Sequence, residues 1–192
     1  LVGEADRQAE GQQLLSQLHY LRRALTPTTD LVEGGLGDVL NTAPDVIVLA
    51  DQVDLAEADD LAAWVDEGGL LIRFAGPRMA AFEGLQDEPL IPVALRQGGR
   101  DIGGALSWGD PRGLAPFAPE GPFAGLAIPA DALVRAQLLP EPSPDLAPRT
   151  LAALTDGTPL VTRAPLGEGQ VVLFHTTANA EWSNLALSGL FV

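Results

Sequence analysis

Residues 45–76 read DVIVLADQVDLAEADDLAAWVDEGGLLIRFAG, and the order of elements inside this stretch decides the fold class. Asp45 to Ala50 is a continuous apolar run, the pattern of a strand covered on both faces. Asp54 and Glu57 follow at capping-box spacing, and Leu55, Ala58, Leu61, Ala62 and Val65 recur at helical intervals. Gly68-Gly69 closes that helix, and Leu70 to Phe74 is a second buried strand. Strand, helix and strand joined by short links predict a parallel sheet with covering helices.

Working outward, residues 7–25 place Leu14, Leu18, Leu21 and Leu25 on one helical stripe, stopped by Pro27. Asp30 to Glu33 is expected to form a short strand ended by Gly34-Gly35, and Leu1 to Gly3 to be the tail of a first strand. Past Gly76 the character changes. Nine of the 16 prolines fall between Pro111 and Pro148, which rules out long helices and predicts loops around short strands near 102–107 and 131–139. Pro140 to Pro148 reads as a surface crossing. Farther on, Thr150–Thr155 and Pro159–Ala164 flank Asp156-Gly157-Thr158, a hairpin signal, and Gly167-Glu168-Gly169 turns into the strand Gln170–His175. These last three strands predict an antiparallel meander joined to the parallel sheet. No internal repeat occurs, so residues 1–192 are expected to be one α/β domain with an irregular section over 109–148.

Composition excludes more chemistry than the motifs propose. The 192 residues are 46% hydrophobic, enough for a core, but only 5% aromatic, so that core is mostly aliphatic. With no cysteine there is no thiol nucleophile, thiolate metal site or disulfide. All 11 basic residues are arginine; without lysine there is no Walker A loop, Schiff base or Ser-Lys pair. The net charge of −15 repels phosphate backbones and anionic lipid, so neither nucleic acid nor a membrane surface is an expected partner. Eight carboxylates and no base lie between Asp45 and Glu67, a solvated acidic face or a cation or basic-partner site.

The 45–76 stretch resembles the class I glutamine amidotransferase-like superfamily, whose members show a buried strand, an acidic helix ending in Gly-Gly, and a strand leading to a sharp turn. The ending, DGTPLVTRAPLGEGQVVLFHTTANAEWSNLALSGLFV (156–192), is similar to something narrower. It resembles the amidotransferase-like region of large bacterial membrane proteins that carry a BatA-like (aerotolerance-regulator) N-terminal segment. There a Gly-x-Gly hairpin, an apolar strand, Glu-Trp-Ser-Asn and a Leu-Ser-Gly-Leu-Phe ending recur together. The two pieces cover about a third of the chain. The resemblance implies a flavodoxin-like or amidotransferase-like sandwich. It also implies a nucleophilic cysteine on the turn after Leu70–Phe74. That turn here is Ala75-Gly76-Pro77-Arg78-Met79, without Cys, Ser or Thr, so glutamine hydrolysis by the family mechanism is excluded.

Several residues remain candidates for chemistry. His175 ends a buried strand, where open α/β sheets place ligands, with Glu181 and Ser183 close behind. It reads either as the base of a hydrolase paired with Glu181 or as a histidine hydrogen-bonded at a strand end. Asp51 and Asp54, with Glu57, form a hard-cation site, or else Asp54 caps the helix and Asp51 faces water. Arg73 and Arg78 flank the former elbow and either bind a carboxylate or pair on the surface with the acidic helix. Gly98-Gly99 and Gly103-Gly104 around Arg100-Asp101-Ile102 read as a turn rather than a phosphate cradle, because no helix follows. Trp182 reads as a structural plug with Ser183-Asn184 capping the next turn, and Trp64 as an aromatic that, if exposed, marks a docking face.

The function these readings favour is a non-catalytic ligand- or protein-binding domain of a membrane-anchored bacterial envelope protein. The alternatives are a hydrolase using His175 and Glu181, or a divalent-cation-dependent docking domain using the acidic 51–60 segment. No cofactor is expected. The longest interior uncharged stretch, Gly169 to Ala180, is too short to span a bilayer, and the opening residues lack the basic start and apolar run of a signal peptide. The start on Leu1 and the end on Leu190-Phe191-Val192 are expected of a domain cut from a longer protein, with membrane segments outside it. The resemblance puts this region on the extracytoplasmic side; a cytoplasmic setting stays open.

Overall fold

The computed structural model describes residues 1–3, 16–88, 90–96 and 106–191. Its centre is a five-stranded sheet of β1 (Val46–Ala50), β2 (Leu70–Phe74), β7 (Gly169–Phe174), β6 (Pro159–Leu166) and β5 (Thr150–Ala153), in that spatial order. β1, β2 and β7 run parallel and in register, Val46 beside Leu70 beside Gln170, while β7, β6 and β5 are antiparallel neighbours. The expected mixed α/β architecture, parallel core with antiparallel C-terminal extension, is therefore present. Val2 adds a parallel bridge outside β1, its N–H donating to the Val48 carbonyl (2.8 Å), as the opening residues predicted.

Alternation along the parallel strands sorts side chains onto two faces. Ile47, Leu49, Leu71 and Val171 pack against Leu61 and Val65 of α3 (Ala58–Asp66) and Leu36 and Val39 of α2 (Leu36–Leu40). Val48, Ala50 and Phe74 face the other way, onto Leu18 and Leu21 of α1 (Gln17–Leu25). Both faces are covered, which is why β1 reads as an unbroken apolar run and β2 is apolar at every position but Arg73. Leu14 of the predicted stripe lies outside the described residues.

The Pro/Gly-rich section contains an antiparallel pair, β3 (Leu106–Gly113) and β4 (Leu133–Leu138). β4 falls within the predicted 131–139, whereas β3 shares only 106–107 with the predicted 102–107, of which 102–105 lie outside the described residues. Their register shifts between Trp108 and Arg112, which accommodates Pro111, a residue that cannot donate to a ladder. The 140–148 segment crosses the surface as predicted and is tied down at both ends. Glu141 N–H donates to the Ala94 carbonyl, and Arg149, in the single turn α5 (Leu146–Arg149), donates to the Pro92 carbonyl. In the β5–β6 hairpin Gly157 adopts φ 84°, and Thr158 N–H closes the turn on the Asp156 carboxylate (3.0 Å).

Two local expectations fail. Asp30–Glu33 forms no strand: Val2 takes the bridge to the edge of β1, and this segment is held instead by Leu1, whose terminal ammonium donates to the Val32 carbonyl (2.8 Å), and by Arg22, which pairs with Glu33. The capping box does not form either. Helix α3 starts at Ala58 with Glu57 at its N-cap and no side-chain cap, while Asp54 sits in a loop at φ 53°. Leu55 still packs against the α3-side core, from the loop rather than from a helical turn.

Candidate functional site

Open α/β sheets bind ligands beyond the carboxyl ends of their parallel strands. Here β1 delivers Asp51 to that edge, β2 delivers Ala75-Gly76, and β7 delivers His175. A polar cleft of about 230 Å³ opens there, lined among others by Ser16, Gln17, Asp51, Arg78, Asn179 and Glu181.

Asp51 is the organising residue. Its backbone takes the left-handed region at φ 52°, and its buried carboxylate accepts the N–H groups of Arg78 (3.0 Å) and Met79 (2.9 Å). Those donors are the first-turn amides of α4 (Pro77–Ala81), which have no partner within the helix. Gly76 makes this possible: a Cβ there would run into the Asp51 carboxyl group. Burial pushes the Asp51 pKa up, and the two amide hydrogen bonds and the Arg78 charge pull against that rise. Asp51 thus neither faces water nor extends toward Asp54, correcting both expectations. Among the described residues no three His, Cys, Asp or Glu side chains converge as a metal site, so the 51–60 segment supplies no cation geometry.

His175 is wholly buried. Its Nδ1 lies 2.8 Å from the Leu138 carbonyl oxygen, which only accepts, so Nδ1 carries the proton and Nε2 accepts from the Thr162 hydroxyl at 2.9 Å. Burial lowers its pKa to about 4, partly countered by the Leu138 hydrogen bond. Both nitrogens are spent, neither on Glu181, whose exposed side chain lines the cleft. Of the two readings of His175 the geometry shows the hydrogen-bonded one; no pairing with Glu181 forms, because the chain bends at His175 and the ring meets Leu138 of β4.

Arg73 is also wholly buried, not on the surface. It donates to the Glu88 carboxylate (2.8 Å), the Leu90 carbonyl (2.9 Å) and the Gln52 carbonyl (2.6 Å). It does bind a carboxylate, but one from its own chain, and burial lowers its pKa against the pull of Glu88. Such a pair contributes little net stability, whereas removing one partner costs about 3–5 kcal/mol. Arg78 is exposed and lines the cleft.

Reading the sequence alone missed Ser16, Gln17 and Asn179 as cleft residues and Glu88 as the partner of Arg73. Gln17 accepts the Ala178 N–H (3.3 Å) and Asn179 accepts the Glu181 N–H (3.0 Å), contacts between segments far apart or in a tight bend that no local pattern announces. Trp182 is the expected plug, buried beside Ala75 and Met79, but Asn184 ties back to Asp131 and Leu133 instead of capping the turn after it. Trp64 is half-buried, its indole N–H donating to the Pro44 carbonyl and its ring lying over Gly69, so it presents no docking face. The Gly98–Gly104 loop lies outside the described residues.

The chain matches no protein-family model and no curated protein sequence. Solved structures do share its fold. It is similar to the cytoplasmic protein STM3548 from Salmonella typhimurium, with 16% identity, TM-score 0.61, and 85% of this chain on 76% of that one. It is likewise similar to the cytoplasmic protein STM1381 from Salmonella typhimurium LT2, with 15% identity, TM-score 0.62, and 85% on 77%. A third match is the beta-galactosidase from Rahnella sp. R3, with 15% identity and TM-score 0.57; there 90% of this chain covers only 26% of the enzyme. At these identities the likeness is one of fold.

Proposed function

We propose that this chain is a non-catalytic amidotransferase-like domain that binds a polar ligand at the carboxyl edge of its sheet, within a membrane-anchored bacterial envelope protein. One observation carries the reading: the carboxylate of Asp51 fills the helix N-terminus after β2, the turn where the family resemblance puts a nucleophile and its reacting group. A carboxylate held there blocks both roles. What remains is a cleft carrying both signs of charge at its rim, Glu181 against Arg78, which suits a zwitterionic ligand such as a free amino acid. Among the described residues no helix is long and apolar enough to cross a membrane, and the membrane anchor in this reading comes from the family resemblance. The family resemblance alone supports the extracytoplasmic side.

The test is titration of the purified chain with L-glutamine and other L-amino acids, followed by amide NMR and by ammonia release. The expected result is saturable shifts at residues 16–17, 51–52, 78 and 179–181, weakened in Glu181→Gln, with no ammonia. Shifts elsewhere only, or none, would sink the ligand assignment. Turnover of glutamine or an ester that vanishes in a folded His175→Ala variant would establish the hydrolase instead.

A further inference from the structure

Five of the chain's six phenylalanines surround a single cavity: Phe74, Phe117, Phe123, Phe174 and Phe191. Phe74 and Phe174 stack at the ends of β2 and β7, with centroids 4.5 Å apart and planes 15° apart. Phe117 and Phe123 stand tilted by 43° at 5.3 Å in the segment 114–126 that covers the sheet, and Phe191 leans on Phe74 at 6.0 Å. The space they leave is about 70 Å³.

Its chemistry is one-sided. The only polar side chains in the lining are Thr176 and Thr177, and both hydroxyls are spent. Thr176 donates to the Ala136 carbonyl, while Thr177 donates to the Asn179 carbonyl and accepts the Trp182 N–H. No charged group lines it, and none of the unpartnered buried polar atoms belongs to it. Leu126 is half-exposed at its mouth, so the cavity opens to solvent, but its walls offer water almost no partners and hold it weakly. An apolar filler that displaces such water recovers dispersion contacts with the walls, in a protein whose interior otherwise packs closely.

The cover is irregular. Segment 114–126 holds Pro116, Pro119, Gly121, Pro122 and Gly125, forms no helix and joins the sheet through a bridge from Leu114 to Leu154, with Leu126 half-exposed at the rim. We infer that this cavity is a binding site for a small uncharged molecule presenting one aromatic ring, with any polar substituent leaving at the Leu126 rim. An apolar cavity of about 150 Å³ holds a whole benzene, so this smaller one takes a ring with its edge at the mouth or with a slight outward shift of the cover. Rings set at several inclinations offer a guest both stacked and edge-to-face contacts, which an aliphatic guest of equal volume does not use. This site is distinct from the polar cleft, and its fate does not depend on the reading given above for that cleft.

The experiment uses toluene as probe and cyclohexane as the size-matched control, read by thermal unfolding and by NMR. Toluene in large excess over its Kd is expected to raise Tm by several degrees, with cyclohexane clearly weaker. Ring protons of toluene are expected to show NOEs to the methyls of Leu160 and Val161. Ala152→Leu, which fills the cavity from β5, is expected to abolish the Tm shift; if that variant does not fold, the NOEs in the unmodified chain decide alone. No shift and no NOE, equal effects of cyclohexane, or a shift that survives in a folded Ala152→Leu would each overturn the assignment. So would much tighter binding of a phenylalanine-containing peptide than of toluene, which would make the cavity a protein-docking pocket.

Discussion

A histidine that ionises in water near pH 6.5 and in the fold near 4 ties stability to pH in a defined direction. Between those values the unfolded chain binds a proton at His175 that the folded chain refuses. The stabilisation is therefore complete above about pH 6.5, falls as the pH drops toward 4, and levels off below. The gap corresponds to roughly 3 kcal/mol at most. Asp51 works in the opposite sense, since burial raises its pKa and its ionised form is the disfavoured one. Urea titrations of the unmodified chain and of His175→Gln at several pH values separate the two. The difference between the curves should slope between pH 6.5 and 4 and be flat elsewhere; a constant difference throughout would show that His175 titrates normally. Sequence reading placed His175 correctly at a buried strand end and kept open both a base and a hydrogen-bonded residue. Only the approach of Thr162 and of the Leu138 carbonyl, from strands distant in the chain, decides between them.

At the scale of elements, the junction of β1, β2 and α4 is held by Asp51 and Gly76 acting as one unit. Gly76→Ala pushes a methyl group into the carboxylate that caps α4 and should destabilise by about 2 kcal/mol or more, a lost cap plus overpacking. Asp51→Gly removes the same cap while easing the left-handed backbone. In the Asp51→Gly background Gly76→Ala should then cost little, a coupling measurable as a double-mutant cycle. Additive effects would show that the close approach carries no energy. The strands and the β5–β6 hairpin were legible because apolar runs and the Asp-Gly turn are local signals. The supposed capping box was not a cap: its spacing is genuine, but the chain makes an extra bend at Asp54 before α3 begins. Asp30–Glu33 misled for a different reason. An apolar pair between two acids, Leu31-Val32, carries no information about whether the neighbouring sheet edge is already taken.

Across the whole molecule the charge of −15 is spread over a surface with few counterions of its own. Exposed pairs such as Arg22–Glu33 and Arg112–Asp156 neutralise only a small part of it. Self-repulsion should therefore dominate the salt response: Tm is expected to rise as NaCl goes from about 10 mM to 500 mM, because the Debye length shrinks from about 30 Å to well under 8 Å. A Tm that falls with salt would mean that ion pairs outweigh repulsion. Calcium or magnesium should do no more than NaCl of equal ionic strength, since the described carboxylates do not converge on a metal.

The mixed α/β class, the buried strands, the hairpin turns and the chemistry that lack of cysteine and lysine removes are all legible in the chain before it folds. These follow from local periodicity and from composition, both of which one chain carries openly. Tertiary structure alone decided the fate of each candidate side chain: Asp51 turned onto α4, Arg73 sealed with Glu88, His175 clasped by Thr162 and Leu138, and five phenylalanines gathered round one void. Each outcome depends on groups brought together from distant positions, where desolvation and hydrogen bonding set what a residue can do.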